Sequence, residues 1–195
     1  MPSIILASSS AGRKNALRKL GLKFKSIDPN IDESPRDHET VEALVRRLSE
    51  EKAKAIHVED DSIVIAGDQL LTIGQTILAK PKNKADAFQQ LTQCSGRTVL
   101  SLSGMCVYQP QTGFCNVSVS RATAHYRSLS ASCIQRYLDL DKPFSCAGSI
   151  RIEDHGFMLL ESLKSDDYYA THGLPLLSLI TQLEKLDINL MKILT

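Results

Sequence analysis

Two serines and an arginine near the start of the chain form a pattern suited to binding an anion. Residues 4–6 are a short apolar run that predicts a buried strand, and the small residues that follow include Ser8 and Ser10. A helix pattern begins after Arg13, so its free backbone N–H groups would point into this loop. The serine hydroxyls are further donors, and Arg13 can bind phosphate oxygens in a bidentate fork. The alternative is that Ser10 only caps the helix and Arg13 is a solvated charge.

Two acidic residues are candidates for catalysis or metal binding. Asp68 follows the apolar run 62–66 and Gly67, so we expect it at the end of a buried strand, where open α/β sheets bind their ligands. Gly67 would let another chain or a substrate approach closely. Glu33 lies in a loop between two prolines. Two carboxylates and a phosphate suit Mg²⁺, which takes few oxygen ligands from protein. The alternatives are that Asp68 only turns the chain and that Glu33 is an ordinary loop acid.

Two lysines are candidates for balancing the negative charge of a phosphate. Lys52 lies in a strongly amphipathic helix pattern that begins at Thr40. Lys80 comes directly before Pro81, so it stands at a fixed bend after an apolar segment. In most sequences a helix lysine such as Lys52 is simply solvated. No serine lies in a GxSxG motif, so a hydrolase with a covalent serine intermediate is not supported.

Composition excludes several classes of protein. The chain has 195 residues, 43% of them hydrophobic and 23% charged, which is ordinary for one soluble domain spanning 1–195. A net charge of +1 gives no reason to expect a nucleic acid or a membrane as partner. No signal peptide or membrane span is apparent. The five cysteines are scattered and form no CxxC pair, so we expect reduced thiols and a cytoplasmic protein.

Hydrophobic patterning predicts a single α/β unit in which strands and helices alternate. Helices are expected after Arg13, from Thr40, over 84–94, over 130–138, and in the last segment from Leu176. Strands are expected over the segments 4–6, 23–27, 62–66, 98–102, 105–108, 116–126 and 157–162, and residues 70–73 can continue extended to the turn at Gly74.

The motifs, taken together and in order, resemble those of the Maf family of nucleoside triphosphate pyrophosphatases over nearly the whole chain. They are Leu6-Ala-Ser-Ser-Ser with Arg13, Asp32-Glu33, Glu51-Lys52-Ala53, Gly67-Asp68-Gln69, Lys80-Pro81, Ser95-Gly96-Arg97, Cys146-Ala-Gly-Ser149 and Gly173-Leu-Pro175. Each motif alone is weak evidence for the family, whereas eight motifs in the family's order are strong evidence. Gln69 and Glu153 further resemble the YceF-type subgroup, whose preferred substrate is 7-methyl-GTP.

The resemblance implies a role for each matching residue. It implies that Asp68 is the catalytic acid, acting as proton acceptor or metal ligand, and that Glu33 also binds the metal. Lys52 and Lys80 match phosphate-binding lysines. The remaining matches are the phosphate loop residues Ser8, Ser10 and Arg13, and the positions linked to substrate choice, Gly12, Gln69 and Glu153. The YceF-type often has a large aromatic residue where this chain has Gly12.

The resemblance also implies a fold, a cofactor and partners. The expected fold is a Maf/ITPase-like mixed twisted sheet with flanking helices and an active-site cleft between two lobes. The expected cofactor is a divalent cation such as Mg²⁺, Mn²⁺ or Co²⁺, and the expected assembly is a cytoplasmic homodimer that binds a small nucleotide. The alternatives are a pyrophosphatase for dTTP, UTP or other triphosphates, and a non-catalytic nucleotide-binding regulator of cell division.

Overall fold

The computed structural model describes residues 2–58 and 61–193, and these form an α/β fold as the patterning predicts. The strands are β1 Ile4–Ala7, β2 Lys25–Ile27, β3 Ile63–Ile73, β4 Thr76–Ile77, β5 Thr98–Gln109, β6 Phe114–Tyr126 and β7 Leu160–Ser165. The helices are α1 Ala11–Arg18, α2 Val41–Lys54, α3 Lys84–Cys94, α4 Ala131–Asp141, α5 Leu176–Glu184 and α6 Leu190–Ile193. Short 3₁₀ helices cover Ala147–Ser149, Gly156–Leu159 and Tyr168–His172.

The strands form a mixed sheet, as expected. Their hydrogen-bonded order is β2-β1-β3-β5-β6-β7, and β4 pairs with β3. Strand β1 is parallel to both β2 and β3, whereas the β3–β4 and β6–β7 pairs are antiparallel. Backbone contacts divide the chain into a first unit, residues 1–68, 103–120 and 167–195, and a second unit, residues 69–102 and 121–166. The single domain 1–195 stays a prediction.

In the first unit, β1 and the start of β3 are buried on both faces. Ile4 and Leu6 contribute to one apolar cluster with α1 and α5, and Ile5 and Ala7 contribute to another with Ala53 of α2. Successive side chains of a strand point to opposite faces, so a strand covered on both sides must be apolar at every position. The unbroken runs at 4–7 and 63–66 are the result.

In the second unit, helices α3 and α4 pack against one apolar cluster. It contains Leu91, Tyr126, Ile134 and Leu138, all fully buried. Asn83 and Ser130 cap the two helices at their expected starts by accepting hydrogen bonds from backbone N–H groups. Among the described residues, no helix is both long enough and apolar enough to cross a membrane.

Three expectations about strands are wrong. The extended continuation over 70–73 is confirmed, but it belongs to the same strand, β3, so Asp68 lies within a strand rather than at its end. The segments 98–102 and 105–108 are one strand, β5, which passes through Gly104. The expected strand 157–162 begins as a 3₁₀ helix, and β7 starts only at Leu160. Glycines and polar residues marked apparent breaks, but tertiary contacts accommodate them within continuous strands.

Candidate active site

Lys52, in the first unit, binds two carboxylates. Its Nζ lies 2.6 Å from Asp68 Oδ1 and 2.7 Å from Glu33 Oε1. The Lys52 and Asp68 side chains are 6% and 7% exposed, whereas Glu33 is 58% exposed. The structure therefore brings together three residues that the sequence analysis selected from separate segments. The alternative interpretations, a solvated Lys52 and an Asp68 that turns the chain, are wrong because both side chains are buried and paired.

Ser49, one turn before Lys52, links helix α2 to strand β3 by a hydrogen bond. Its hydroxyl accepts a hydrogen bond from the backbone N–H of Asp68 at 3.1 Å and donates to the carbonyl of Val45 at 2.7 Å. Gly104 of β5 allows the helix to come this close, because a Cβ there would lie 2.4 Å from Ser49 Oγ. The register of α2 on the sheet thus places Lys52 beside Asp68.

The loop after β1 is held by hydrogen bonds to Ser8. Its hydroxyl oxygen accepts from the backbone N–H of Ser10 and from Arg13 Nη1, both at 3.2 Å, and its carbonyl accepts from Ser26 Oγ at 2.7 Å. Ser10 is the N-cap of α1 and accepts from the N–H of Arg13. The capping interpretation of Ser10 is therefore confirmed, and its hydroxyl hydrogen is still able to donate.

Arg13 is directed by the protein rather than solvated. Its Nε donates to the carbonyl of Gly173 at 3.0 Å, and its Nη1 binds Ser8. These contacts occupy two of its five N–H donors. Desolvation lowers the pKa of the Arg13 guanidinium, and the nearby carboxylates of Asp68 and Glu33 counteract this. An arginine begins so far above neutrality that it keeps its charge.

Gly67 allows a close approach, as the sequence analysis expected, and what approaches is the protein's own backbone. A Cβ on Gly67 would lie 2.8 Å from the Gly104 carbonyl oxygen and 3.4 Å from that of Gly173. The protein's own backbone fills the space that the missing side chain leaves. This packing holds the Gly173 carbonyl near Arg13.

Asp68 and Glu33 fit the binding of a divalent cation that also binds a substrate. Asp68 Oδ2 is buried and has no hydrogen-bond partner among the described residues, which is costly unless a cation, proton or water satisfies it. No cluster of three or more potential protein ligands occurs in residues 2–58 and 61–193. Two protein carboxylates suit Mg²⁺ or Mn²⁺, because these ions keep coordination positions for water and phosphate. They do not suit a structural metal site, in which protein ligands fill every position.

The other candidate residues can be placed within their own units. Gly12 is the second residue of α1, close in sequence to Arg13. Gln69, Lys80 and Glu153 belong to the second unit. Gln69 Nε2 donates to Ser101 Oγ at 3.0 Å, while the side chains of Lys80 and Glu153 are exposed. Their proposed roles in binding stay predictions.

Sequence reasoning missed Ser49, Gly104 and the carbonyl of Gly173 as supports of the site. Ser49 lies among the inward positions of α2, at Val45 and Leu48, where a polar residue signals a buried partner. Gly104 is a glycine in a strand, which often marks a close backbone approach. A backbone carbonyl acceptor such as that of Gly173 leaves no signal in the sequence.

Comparison with known proteins places the chain in a family. It is 40% identical over 186 residues, covering 95% of this chain and 96% of the relative, to a protein from Pseudoalteromonas atlantica named 7-methyl-GTP pyrophosphatase. A Vibrio vulnificus protein of the same name is 38% identical over 91% of both chains. A solved structure, the Staphylococcus aureus Ham1 protein, covers 65% of this chain and 72% of its own, at 19% identity and a TM-score of 0.45. The family model described as Maf-like protein matches residues 3–186, so the chain belongs to the Maf family.

Proposed function

We propose that this protein is a nucleoside triphosphate pyrophosphatase that hydrolyses 7-methyl-GTP to 7-methyl-GMP and pyrophosphate. The names of the full-length relatives support the substrate. The observation that carries the proposal is the buried Asp68 carboxylate, which is bound by Lys52 through one oxygen while the other oxygen has no partner among the described residues. A protein that only binds nucleotides gains nothing from a second acid, Glu33, gathered beside the first.

The reaction is the attack of water on the α-phosphorus. The bond from this phosphorus to the oxygen that bridges it to the β-phosphorus breaks, and pyrophosphate leaves with the bonding electrons. Asp68 Oδ2 would accept the proton of the attacking water or, as the alternative, bind a divalent cation with Glu33, and both roles require an ionised carboxylate. The ammonium group of Lys52 lies 2.6 Å from the other oxygen of Asp68 and holds the carboxylate in place.

Arg13 and Ser8 bind the phosphates. The guanidinium has three N–H groups beyond those used for Gly173 and Ser8, and the Ser8 hydroxyl can donate while its oxygen accepts. The start of α1 adds the positive end of its dipole and unpaired N–H groups. These donors are positioned before the substrate arrives, so little reorganisation opposes stabilisation of the charge that develops on the phosphates.

Glu33 and Asp68 would hold a divalent cation. When bound, Mg²⁺ or Mn²⁺ polarises the phosphate and offsets its negative charge. Lys80 is proposed as a further phosphate ligand, and Gln69, Glu153 and Gly12 as determinants of base choice. We further propose that the enzyme acts as a homodimer in the cytoplasm, where nucleotide triphosphates are formed and used.

The test is pyrophosphate release by the purified protein with Mg²⁺ or Mn²⁺, over 7-methyl-GTP, GTP, dTTP, UTP, CTP and ITP. We expect the highest kcat/KM for 7-methyl-GTP and loss of activity on removal of the cation with a chelator. Preference for another triphosphate would be consistent with the proposed mechanism but would refute 7-methyl-GTP as the preferred substrate. Nucleotide binding without pyrophosphate release from any of them would refute the enzyme and favour the binding protein.

A further inference from the structure

Two of the protein's five thiols, those of Cys106 and Cys115, touch each other in the first unit. Their Sγ atoms are 3.8 Å apart, within the range of a thiol–thiol hydrogen bond. Cys106 belongs to β5 and Cys115 to β6, the neighbouring strand in the sheet. The two residues are nine positions apart in sequence, so strand pairing rather than a CxxC motif brings them together.

The two thiols differ in their access to solvent. Cys115 is exposed. Cys106 is 0% exposed and packs in an apolar cluster with Ala53 of α2 and Ala66 of β3. A dissolved oxidant therefore meets Cys115 first, and it acts on the Cys106 sulfur through the Cys115 sulfur that contacts it.

The same contact affects the acidity of Cys106. Burial raises the pKa of the Cys106 thiol, and the negative charge and hydrogen bond of Cys115 raise this pKa further. Cys106 is therefore unreactive while Cys115 is reduced, because the thiolate is the nucleophile. When the Cys115 sulfur becomes part of a disulfide it carries no negative charge, so this second contribution to the pKa of Cys106 disappears.

The strand geometry is compatible with a covalent bond between these sulfur atoms. Neighbouring strands of a sheet lie about 4.8 Å apart. This spacing falls within the range of about 4.4–6.8 Å between the Cα atoms of residues that a disulfide joins. The bond itself is about 2.05 Å long, so two sulfur atoms that already touch need only a small further approach, which rotation of their side chains supplies.

We propose that Cys106 and Cys115 form a reversible disulfide, in which Cys115 reacts first and Cys106 resolves its oxidised form. The oxidant is a low-molecular-weight disulfide such as glutathione disulfide. This inference does not depend on the proposed function. The competing explanation is that Cys106 serves only as a small apolar residue of its cluster.

The reaction is two successive thiol–disulfide exchanges. The Cys115 thiolate attacks one sulfur of glutathione disulfide, the bond between the two glutathione sulfurs breaks, and the first glutathione leaves and takes up the proton that Cys115 has lost. The Cys106 sulfur then attacks the Cys115 sulfur, and the second glutathione leaves with the proton of the Cys106 thiol. The two protein thiols are oxidised by two electrons, and glutathione disulfide is reduced to two molecules of glutathione.

The experiment treats the purified wild-type protein, Cys106→Ala and Cys115→Ser with glutathione disulfide at neutral pH. Non-reducing peptide mapping by mass spectrometry measures the Cys106–Cys115 cross-link and the glutathione on each exposed thiol. Cys133, an exposed thiol on α4, is the matched control. We expect the cross-link in the wild-type protein alone, and its removal by dithiothreitol. Glutathione on Cys115 should be at least about tenfold more abundant in Cys106→Ala than in wild type.

Cys115→Ser tests the order of reaction, because its buried Cys106 should stay a free thiol while Cys133 reacts as in wild type. Equal glutathione on Cys115 in wild type and in Cys106→Ala would overturn the proposal, since a thiol that only fills space resolves nothing. Detection of the cross-link in the wild-type protein requires no variant, so the test stands even where Cys106→Ala does not fold. Absence of the cross-link after Cys133 has reacted fully would refute the proposal.

Discussion

Replacing Lys52 by methionine tests the central ion pair, because methionine has a similar length but no charge. The substitution removes the ammonium group that lies 2.6 Å from Asp68 Oδ1 and leaves a carboxylate that is 7% exposed. Removing one partner of a buried ion pair costs about 3–5 kcal/mol. At about 2–4 °C per kcal/mol for a chain of this size, the melting temperature should fall by at least about 6 °C.

A double-mutant cycle shows whether the charge of Asp68 causes this loss. In an Asp68→Asn background no buried charge is left behind, so we expect Lys52→Met to cost less than about 1 kcal/mol. Thermal and urea unfolding of the four proteins measure the coupling. Equal costs in the two backgrounds would refute the reasoning, because Lys52 would then stabilise the fold through its packing alone.

Lys54→Met is the matched control, two residues further along the same helix. Lys54 also pairs with a carboxylate, Glu50 at 2.5 Å, but these side chains are 50% and 41% exposed. Exposed pairs four residues apart on a helix contribute roughly 0.3–0.5 kcal/mol. We therefore expect little change in stability, and a loss as large as that of Lys52→Met would mean that burial is not the decisive factor.

Three further predictions concern single groups. Asp68→Asn should lower kcat for pyrophosphate release at least about a hundredfold while the circular dichroism spectrum is unchanged, and full activity would refute its role as proton acceptor. The hydrogen bond from Arg47 lowers the pKa of Glu39 from 4.5 to about 2. The contribution of ionised Glu39 to the stability of the fold is therefore complete above pH 4.5 and is lost as the pH falls through 2. Glu39→Gln should accordingly be less stable at pH 6, with a difference from wild type that shrinks over this range in acid unfolding. Burial raises the pKa of the Cys94 thiol to about 11, so iodoacetamide should label the exposed Cys133 and spare Cys94, as read by mass spectrometry.

Helix starts could be predicted from the sequence because their signals are local. Ser10, Thr40, Asn83 and Ser130 each bind an N–H of the first turn that follows, and each was identifiable from its residue type and position. Strand ends were predicted less well. Asp68 interrupts an apolar run, which favours a strand end, but one oxygen of its carboxylate is bound by Lys52 from a helix, and no local pattern records that contact.

The members of the site could be selected from the sequence, but their arrangement could not. The family's motifs indicate Glu33, Lys52 and Asp68, yet nothing in their spacing says that one lysine binds both acids. That arrangement depends on the register of α2, which Ser49 and Gly104 determine through contacts with strands distant in sequence. Residue type indicates which groups can do chemistry, and packing decides which of them meet.

The charges of the first unit's site explain why a cation is expected to accompany the substrate. Arg13 and Lys52 carry two positive charges, and Asp68 and Glu33 carry two negative charges, so the four side chains cancel. A triphosphate entering beside two carboxylates would be repelled by them at short range. A divalent cation held by Glu33 and Asp68 would reverse the local balance and leave Arg13 free to act on the phosphates. Lys52 then has a second function, since its ammonium group contacts both acids and holds them close together before the cation binds.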